Sequence, residues 1–155
     1  MKNKYDEIKE KHQKIVNDFP FMFAFSNEQF KTGMEKLGLK ETDTDKIISI
    51  GGGGFIRKTD LDAYNKMWDT IRKEEKELID ADKTGDGYIK DMFVSELENH
   101  EYGYTYELDD TLDALELTYE QVMSSPTLKN GLELARKEVL GKNKENDYDR
   151  FTDWT

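Results

Sequence analysis

One stretch of the chain carries oxygen-bearing side chains at the spacing that a twelve-residue calcium loop requires. Such a loop needs oxygen ligands at its first, third and fifth positions, glycine at the sixth, and a bidentate carboxylate at the twelfth. Here those positions hold Asp82, Thr84, Asp86, Gly87 and Phe93. Because the twelfth position lacks a carboxylate, we predict a turn in which Asp and Gly satisfy backbone groups locally, and no metal site. Weak calcium binding is an alternative, with Asp80 or Asp91 as the missing ligand.

A run of four glycines, residues 51–54, is the second candidate for chemistry. The backbone amides of a glycine-rich loop can cradle a phosphate, but a P-loop continues directly into Lys-Ser/Thr and a helix. In this chain Arg57, Lys58 and Thr59 come after a strand-like segment. We therefore predict the tip of a hairpin, and keep a small nucleotide-binding enzyme that uses the glycine tract as an alternative function.

The residues that most enzymes use for nucleophilic or metal catalysis are scarce. His100-Glu101 opens the zinc-protease pattern H-E-x-x-H, but the second histidine is missing and the chain has only one other, His12. The absence of cysteine excludes a thiolate metal site and a cysteine nucleophile. Serines such as Ser26 and Ser49 lack a nucleophile-elbow motif. The sequence therefore predicts a protein that is not an enzyme and needs no cofactor.

The negative charge of the chain is concentrated in one segment. The net charge is −11, and residues 91–120 contain ten acidic side chains and no Lys or Arg. The rest of the chain carries 24 acids and 23 bases, so it is close to neutral. A localised negative field repels nucleic-acid phosphates and attracts basic surfaces. We expect a basic protein partner and no direct binding of nucleic acid.

Tyrosines interleave with carboxylates in this acidic segment, and together they form the predicted partner-binding surface. Carboxylates pair with Arg and Lys, and tyrosines add rigid contact area and cation–π faces. The alternative is an ordinary solvated helical face whose tyrosines pack inward. The predicted contact residues are Glu98, Glu101, Tyr102, Tyr104, Tyr106, Glu107, Asp109, Asp110 and Asp113.

The hydrophobic pattern predicts an α+β fold, mainly helical, with a small antiparallel sheet. Strand-like runs occupy residues 21–25 and the two arms of a hairpin over 46–58. Helical periodicity covers residues 3–18, 26–38, 59–81, 92–97, 111–115, 118–123 and 127–140. Gly141 is predicted to end the last helix. We expect a single domain over residues 1–141 and a charged, loosely ordered tail over 142–155.

The sequence shows no export or membrane signal, and we therefore expect a cytoplasmic protein. The first seven residues have no apolar core of the kind that a signal peptide needs, and no apolar run approaches the roughly 20 residues of a membrane helix. We predict neither export nor membrane insertion.

Three segments carry a resemblance to a known group of proteins. They are FPFMFAFSNEQF at 19–30, SIGGGGFIRK at 49–58 and NHEYGYT at 99–105. In this order they resemble a family of small uncharacterised acidic proteins of Firmicutes phages and mobile elements, over residues from about 5 to 140. The resemblance implies an anti-defence role in the host cytosol, as in anti-CRISPR proteins that occupy the basic nucleic-acid groove of a host CRISPR nuclease. A weak calcium-binding or structural module of a mobile element is the alternative.

Overall fold

The computed structural model describes the backbone of residues 2–152 and the side chains of residues 2–142. It confirms a mainly helical α+β fold with a small antiparallel sheet. The helices are α1 Lys4–Asn17, α2 Asn27–Lys36, α3 Leu61–Ala81, α4 Tyr88–Asn99, α5 Tyr102–Thr105, α6 Asp109–Ala114, α7 Tyr119–Ser124 and α8 Pro126–Thr152. The strands are β1 Met22–Phe23, β2 Ile47–Gly51 and β3 Gly54–Arg57, and short 3-10 turns cover Thr44–Lys46 and Lys58–Asp60.

The chain divides into two compact units. The sheet unit is Lys11–Glu74, and the helical unit takes in the chain up to Glu10 and from Glu75 onward. The boundary falls inside α1 and α3. The expectation of one domain over residues 1–141 stays a prediction.

The predicted end of the last helix at Gly141 is wrong, because α8 runs on to Thr152. Glycine in a helix interior costs about 1 kcal/mol relative to alanine, but it ends a helix only where it adopts a left-handed conformation, and Gly141 does not. Loose ordering of 142–155 stays a prediction, and residues 153–155 lie outside the described part of the chain.

The sheet has the order β1-β3-β2, with both pairings antiparallel. The predicted strand 21–25 is too long, since β1 holds only Met22 and Phe23. The residues that follow the strand instead form the N-terminal cap of α2. The amide of Phe25 donates to Gln29 Oε1 at 2.7 Å, and Ser26 Oγ accepts a hydrogen bond from the amide of Gln29 at 3.2 Å. The same residues that cap the helix therefore end the strand.

The predicted hairpin is present, and its glycines have a structural reason. Gly51, Gly52 and Gly53 all have positive φ, which glycine adopts without steric cost. The ring of Phe25 lies over Gly53, where a Cβ atom would come within 2.5 Å of it. The tract thus supplies both the tight turn and the space for an aromatic ring.

Residues at and beside β1 contact two different helices. On one face Met22 is buried with Met34 and Leu37 of the α2 segment, and it fits against the bare backbone of Gly33. Phe21 directly precedes β1, and its ring meets that of Tyr64 in α3 at 6.1 Å and 87°. Of the two β1 residues, Met22 is buried and Phe23 is exposed, so the strand has one buried face.

Helix α4 is the centre of the helical unit. Its buried residues are Tyr88, Ile89, Met92, Phe93, Val94, Ser95, Glu96 and Leu97. A helix that is buried nearly all round must be covered by other elements on every side. The apolar residues that pack with it come from α1, α5, α6, α7 and α8, among them Ile8, Tyr102, Leu112, Val122 and Leu132.

The loop before α4 approaches α8 so closely that it requires glycine. Gly85 has φ +87°, and a Cβ atom there would overlap the carbonyl oxygen of Thr127. On the α8 side, Gly131 leaves room for Ile89 and for the carbonyl of Gly85. Asn130 Nδ2 closes the contact by donating to Thr84 O at 2.8 Å.

We predict that Gly85→Ala lowers the free energy of unfolding by at least about 3 kcal/mol, because strain at positive φ adds to a backbone clash. The matched control is Gly52→Ala, also at positive φ but with nothing within 4 Å of the added carbon. That variant should cost only about 1 kcal/mol. Urea unfolding followed by circular dichroism measures both, and equal losses would contradict the packing role of Gly85.

Candidate functional site

Asp82 is occupied by backbone hydrogen bonds. Its Oδ1 accepts the amides of Thr84 and Gly85 at 3.3 and 2.9 Å, and its Oδ2 accepts those of Gly87 and Ile89 at 3.0 and 3.1 Å. Burial acts to raise the pKa of this carboxyl, but the four amide donors outweigh it and hold the pKa below its usual value. Gly87, the N-cap residue of α4, has no side chain to cap the helix, so Asp82 takes that role.

This geometry favours a structural turn over a calcium loop. Phe93, at the twelfth position, is fully buried in the core and has no oxygen to offer. Among the described residues, no group of three or more His, Cys, Asp or Glu side chains is arranged to hold a metal ion. Both carboxylate oxygens of Asp82, the first-position residue, already accept hydrogen bonds from backbone amides.

The acidic segment is positioned by inward-facing residues of α6. Thr111 is fully buried, and its Oγ1 donates to the carbonyl oxygen of Glu96 in α4 at 3.3 Å. Leu112 beside it joins the core. With these two positions turned inward, the remaining α6 carboxylates lie on its exposed side: Asp109, Asp110 and Asp113.

The tyrosine-rich turn is held by one buried ring. Tyr102 is only 1% exposed, and its hydroxyl accepts a hydrogen bond from Arg136 Nε at 2.7 Å. The prediction that Tyr102 contacts a partner is therefore wrong, because its side chain packs in the core. Tyr106 rests edge-on against it at 6.1 Å and remains 66% exposed, and Tyr104 is 73% exposed. Tyr102 thus supports the two tyrosines that are available for binding.

A buried polar network lies beneath this segment. Glu96 is 7% exposed and accepts a hydrogen bond from Tyr5 Oη at 2.8 Å. Burial, together with this bond to a carboxylate, raises the pKa of Tyr5 well above its usual value. His100 Nε2 lies 3.4 Å from the other oxygen of Glu96. Glu96 is therefore a structural acid, in contrast to its exposed neighbours.

We call the eight exposed residues of the predicted set the acidic face. It consists of Glu98, Glu101, Tyr104, Tyr106, Glu107, Asp109, Asp110 and Asp113. Two further acids of the same segment, Glu116 and Glu120, are also exposed and were missing from the predicted set. Both lie in the segment 91–120, which has no Lys or Arg, and this feature of the sequence could have identified them.

Cations neutralise little of this charge. Lys142 Nζ lies 2.9 Å from Glu98 Oε1, and this hydrogen bond raises the pKa of Lys142. Within the described side chains, no Lys, Arg or His forms an ion pair with Glu101, with Glu107 or with the carboxylates of α6. Like charges three and four positions apart on a helix repel by a few tenths of a kcal/mol, although those in the first turn of α6 gain from the helix dipole.

Backbone strain is concentrated in the same segment. The non-glycine residues with positive φ in the described chain are Glu101, Tyr106 and Glu116, at 57°, 58° and 56°. The left-handed conformation costs such side chains roughly 1–2 kcal/mol each. Two of these residues flank α5, so they fix the direction in which Tyr104 and Tyr106 project.

Comparison with known proteins identifies a family. The model of a family of unknown function (DUF7659) matches residues 4–138, so the chain belongs to that family. The match covers all three segments on which the resemblance was based. No curated protein and no solved structure matches the chain. In the described part of the chain, no helix is both long enough and apolar enough to span a membrane.

We predict that Asp82→Asn lowers the free energy of unfolding by about 1–3 kcal/mol at pH 7, since amide donors in a partly buried turn lose a charged acceptor. The control Asp86→Asn changes an exposed carboxylate of the same loop and should stay within about 0.5 kcal/mol of the parent.

The effect of Asp82 should also depend on pH. Its folded pKa lies below the ordinary 3.8, so its stabilisation is complete above that value and is lost as the pH falls through the folded pKa. Urea unfolding between pH 7 and pH 3 should show the parent converging on Asp82→Asn at the acid end. A gap between them that widens on acidification would contradict the capping role.

Proposed function

We propose that this member of the family is a non-catalytic binding protein whose acidic face engages a basic surface on another protein. The observation that carries the proposal is a set of exposed carboxylates that have almost no cationic partner among the described side chains. Solvated acidic faces are common, but they usually alternate with Lys and Arg. Here the segment 91–120 has neither.

The strained backbone supports the same proposal. Three left-handed residues with large side chains reduce stability, and glycine would relieve the strain at each position. Strain of this kind is retained where a fixed side-chain direction has a use. Within and directly after α5 it fixes two exposed tyrosines, Tyr104 and Tyr106, that alternate with carboxylates along the chain, an arrangement that suits Arg side chains through ion pairs and cation–π contacts.

The class of partner follows from the charge. A basic protein surface that normally holds phosphates offers Arg and Lys at the density that a carboxylate array can match. We propose a host CRISPR nuclease as the partner, because such nucleases hold a guide–target duplex in a positively charged channel. The acidic face would compete with nucleic acid for that channel, in the cytosol of a host that carries the phage or mobile element.

The test is a pull-down of the tagged protein from host lysate at about 0.15 M and 0.5 M salt, where the screening length falls from roughly 8 to 4 Å. We predict that a nucleic-acid-binding protein is retained at the lower salt and released at the higher. A variant combines Glu107→Gln, Asp109→Asn, Asp110→Asn and Asp113→Asn. At 0.15 M salt it should retain less of the partner than the parent does, by a factor of about ten or more.

A control with the same change in net charge separates the acidic face from the charge of the whole chain. It combines Asp18→Asn, Glu41→Gln, Asp45→Asn and Asp62→Asn, all exposed and all in the sheet unit. This variant should retain the partner as the parent does. Equal losses for both variants, or retention that does not respond to salt, would remove the acidic face from the mechanism.

A further inference from the structure

A groove in the sheet unit runs between strand β1 and helix α2. Its volume is about 660 Å³, within the usual range for ligand sites. Phe21 and Phe23 line it from the strand side, and Glu28, Thr32 and Lys36 line it from α2. It belongs to the other unit of the chain from the acidic face, so it is independent of the function proposed above.

Strand β1 is an edge strand with an open side. The amide of Ala24 donates to Gly53 O at 3.0 Å, and Phe23 stands opposite Gly54. In an antiparallel ladder this makes Phe23 the non-hydrogen-bonded partner, so its N–H and C=O point away from β3. Among the described residues, no other strand pairs with that side of β1. An unpaired strand edge is a template for one more strand.

The side chains of α2 that line the groove are spaced almost as far apart as alternate side chains of a β-strand. Glu28, Thr32 and Lys36 are each four positions apart, so they form one stripe with steps of about 6 Å. Alternate side chains of a strand are spaced by about 6.6–6.8 Å and point to the same face. In a strand that is added to β1 and runs along α2, three alternate residues would therefore stand opposite these three residues in turn.

The two ends of the stripe carry opposite charges. Glu28 is in the first turn of α2 and Lys36 is in its last turn, about 12 Å apart along the axis. The other face of an added strand would meet the rings of Phe21 and Phe23, which line the groove with their centroids 6.0 Å apart; Phe23 is 58% accessible. The groove thus specifies both the charges and the apolar positions of an occupant.

We propose that the groove binds an extended peptide segment of a partner protein, which adds to β1 as a fourth strand of the sheet. The segment has a basic residue opposite Glu28, a small or hydroxyl residue opposite Thr32 and an acidic residue opposite Lys36. The two residues between these positions are apolar and face the phenylalanine rings. Strand addition of this kind draws affinity from the backbone and specificity from alternate side chains.

The probes are two labelled synthetic peptides that contain Lys-Val-Thr-Val-Glu or the reverse order, since either strand direction is possible, each flanked by Gly-Ser. Binding to the full chain is followed by fluorescence anisotropy. One order should bind with a dissociation constant below 1 mM. A peptide with Lys and Glu three positions apart should bind far more weakly, because its two charges lie on opposite faces of the strand.

Two variants and two controls locate the binding. Glu28→Gln and Lys36→Gln should each weaken binding about three- to fivefold, as expected for an exposed ion pair. Lys31→Gln and Glu35→Gln change exposed charges on the same helix that do not line the groove, and they should leave the affinity unchanged. All four are single neutral substitutions at exposed helix positions, so the fold should tolerate each of them.

Hydrogen exchange of the Phe23 amide separates strand addition from side-chain docking alone. Saturating peptide should slow exchange at this amide about tenfold, because it gains a hydrogen-bond acceptor. Failure of both peptide orders to bind, an equal affinity for the peptide with the shortened spacing, or an unchanged Phe23 exchange rate in the bound state would overturn the proposal.

Discussion

The carboxylate of Asp82 holds the amino end of the helix on which the helical unit depends. Helix α4 begins directly after Gly87, so it has no local side-chain cap, and Ile89 in its first turn is fully buried. Asp82 supplies acceptors from five residues upstream. A buried donor without an acceptor costs about 1–3 kcal/mol. The hydrogen bonds to Asp82 remove this penalty and so stabilise the start of α4.

The acidic face takes its position from α4. The hydroxyl of Thr111 ties α6 to the carbonyl of Glu96, and Tyr102 packs the α5 turn into the same core. Because Thr111, Leu112 and Tyr102 supply the inward contacts, the carboxylates of the acidic face stay in solvent and carry their charge without a cost in burial. The result is a support beneath carboxylates that are almost unpaired among the side chains of residues 2–142.

The sequence predicted features that local chemistry decides. Among the described residues, helical periodicity located each helix except the four-residue α5, and Thr118 and Gln121 form a capping box at the start of α7. The misses have two different causes: β1 ends early where the amide of Phe25 bonds locally to Gln29, and Tyr102 is buried where its hydroxyl bonds to the distant Arg136. The role of Asp82 was visible only as oxygen spacing, which a calcium loop and a capped turn share. The open edge of β1 likewise needed the sheet order to be known.

The most direct test of the central claim is zero-length cross-linking of the complex between the tagged protein and its captured partner. A carbodiimide joins a carboxylate to a lysine amine only where the two touch. The account predicts links from partner lysines to Glu107, Asp109, Asp110 or Asp113, identified by mass spectrometry. Links confined to carboxylates of the sheet unit, such as Glu28 or Glu41, would show that the partner binds elsewhere and would contradict the account.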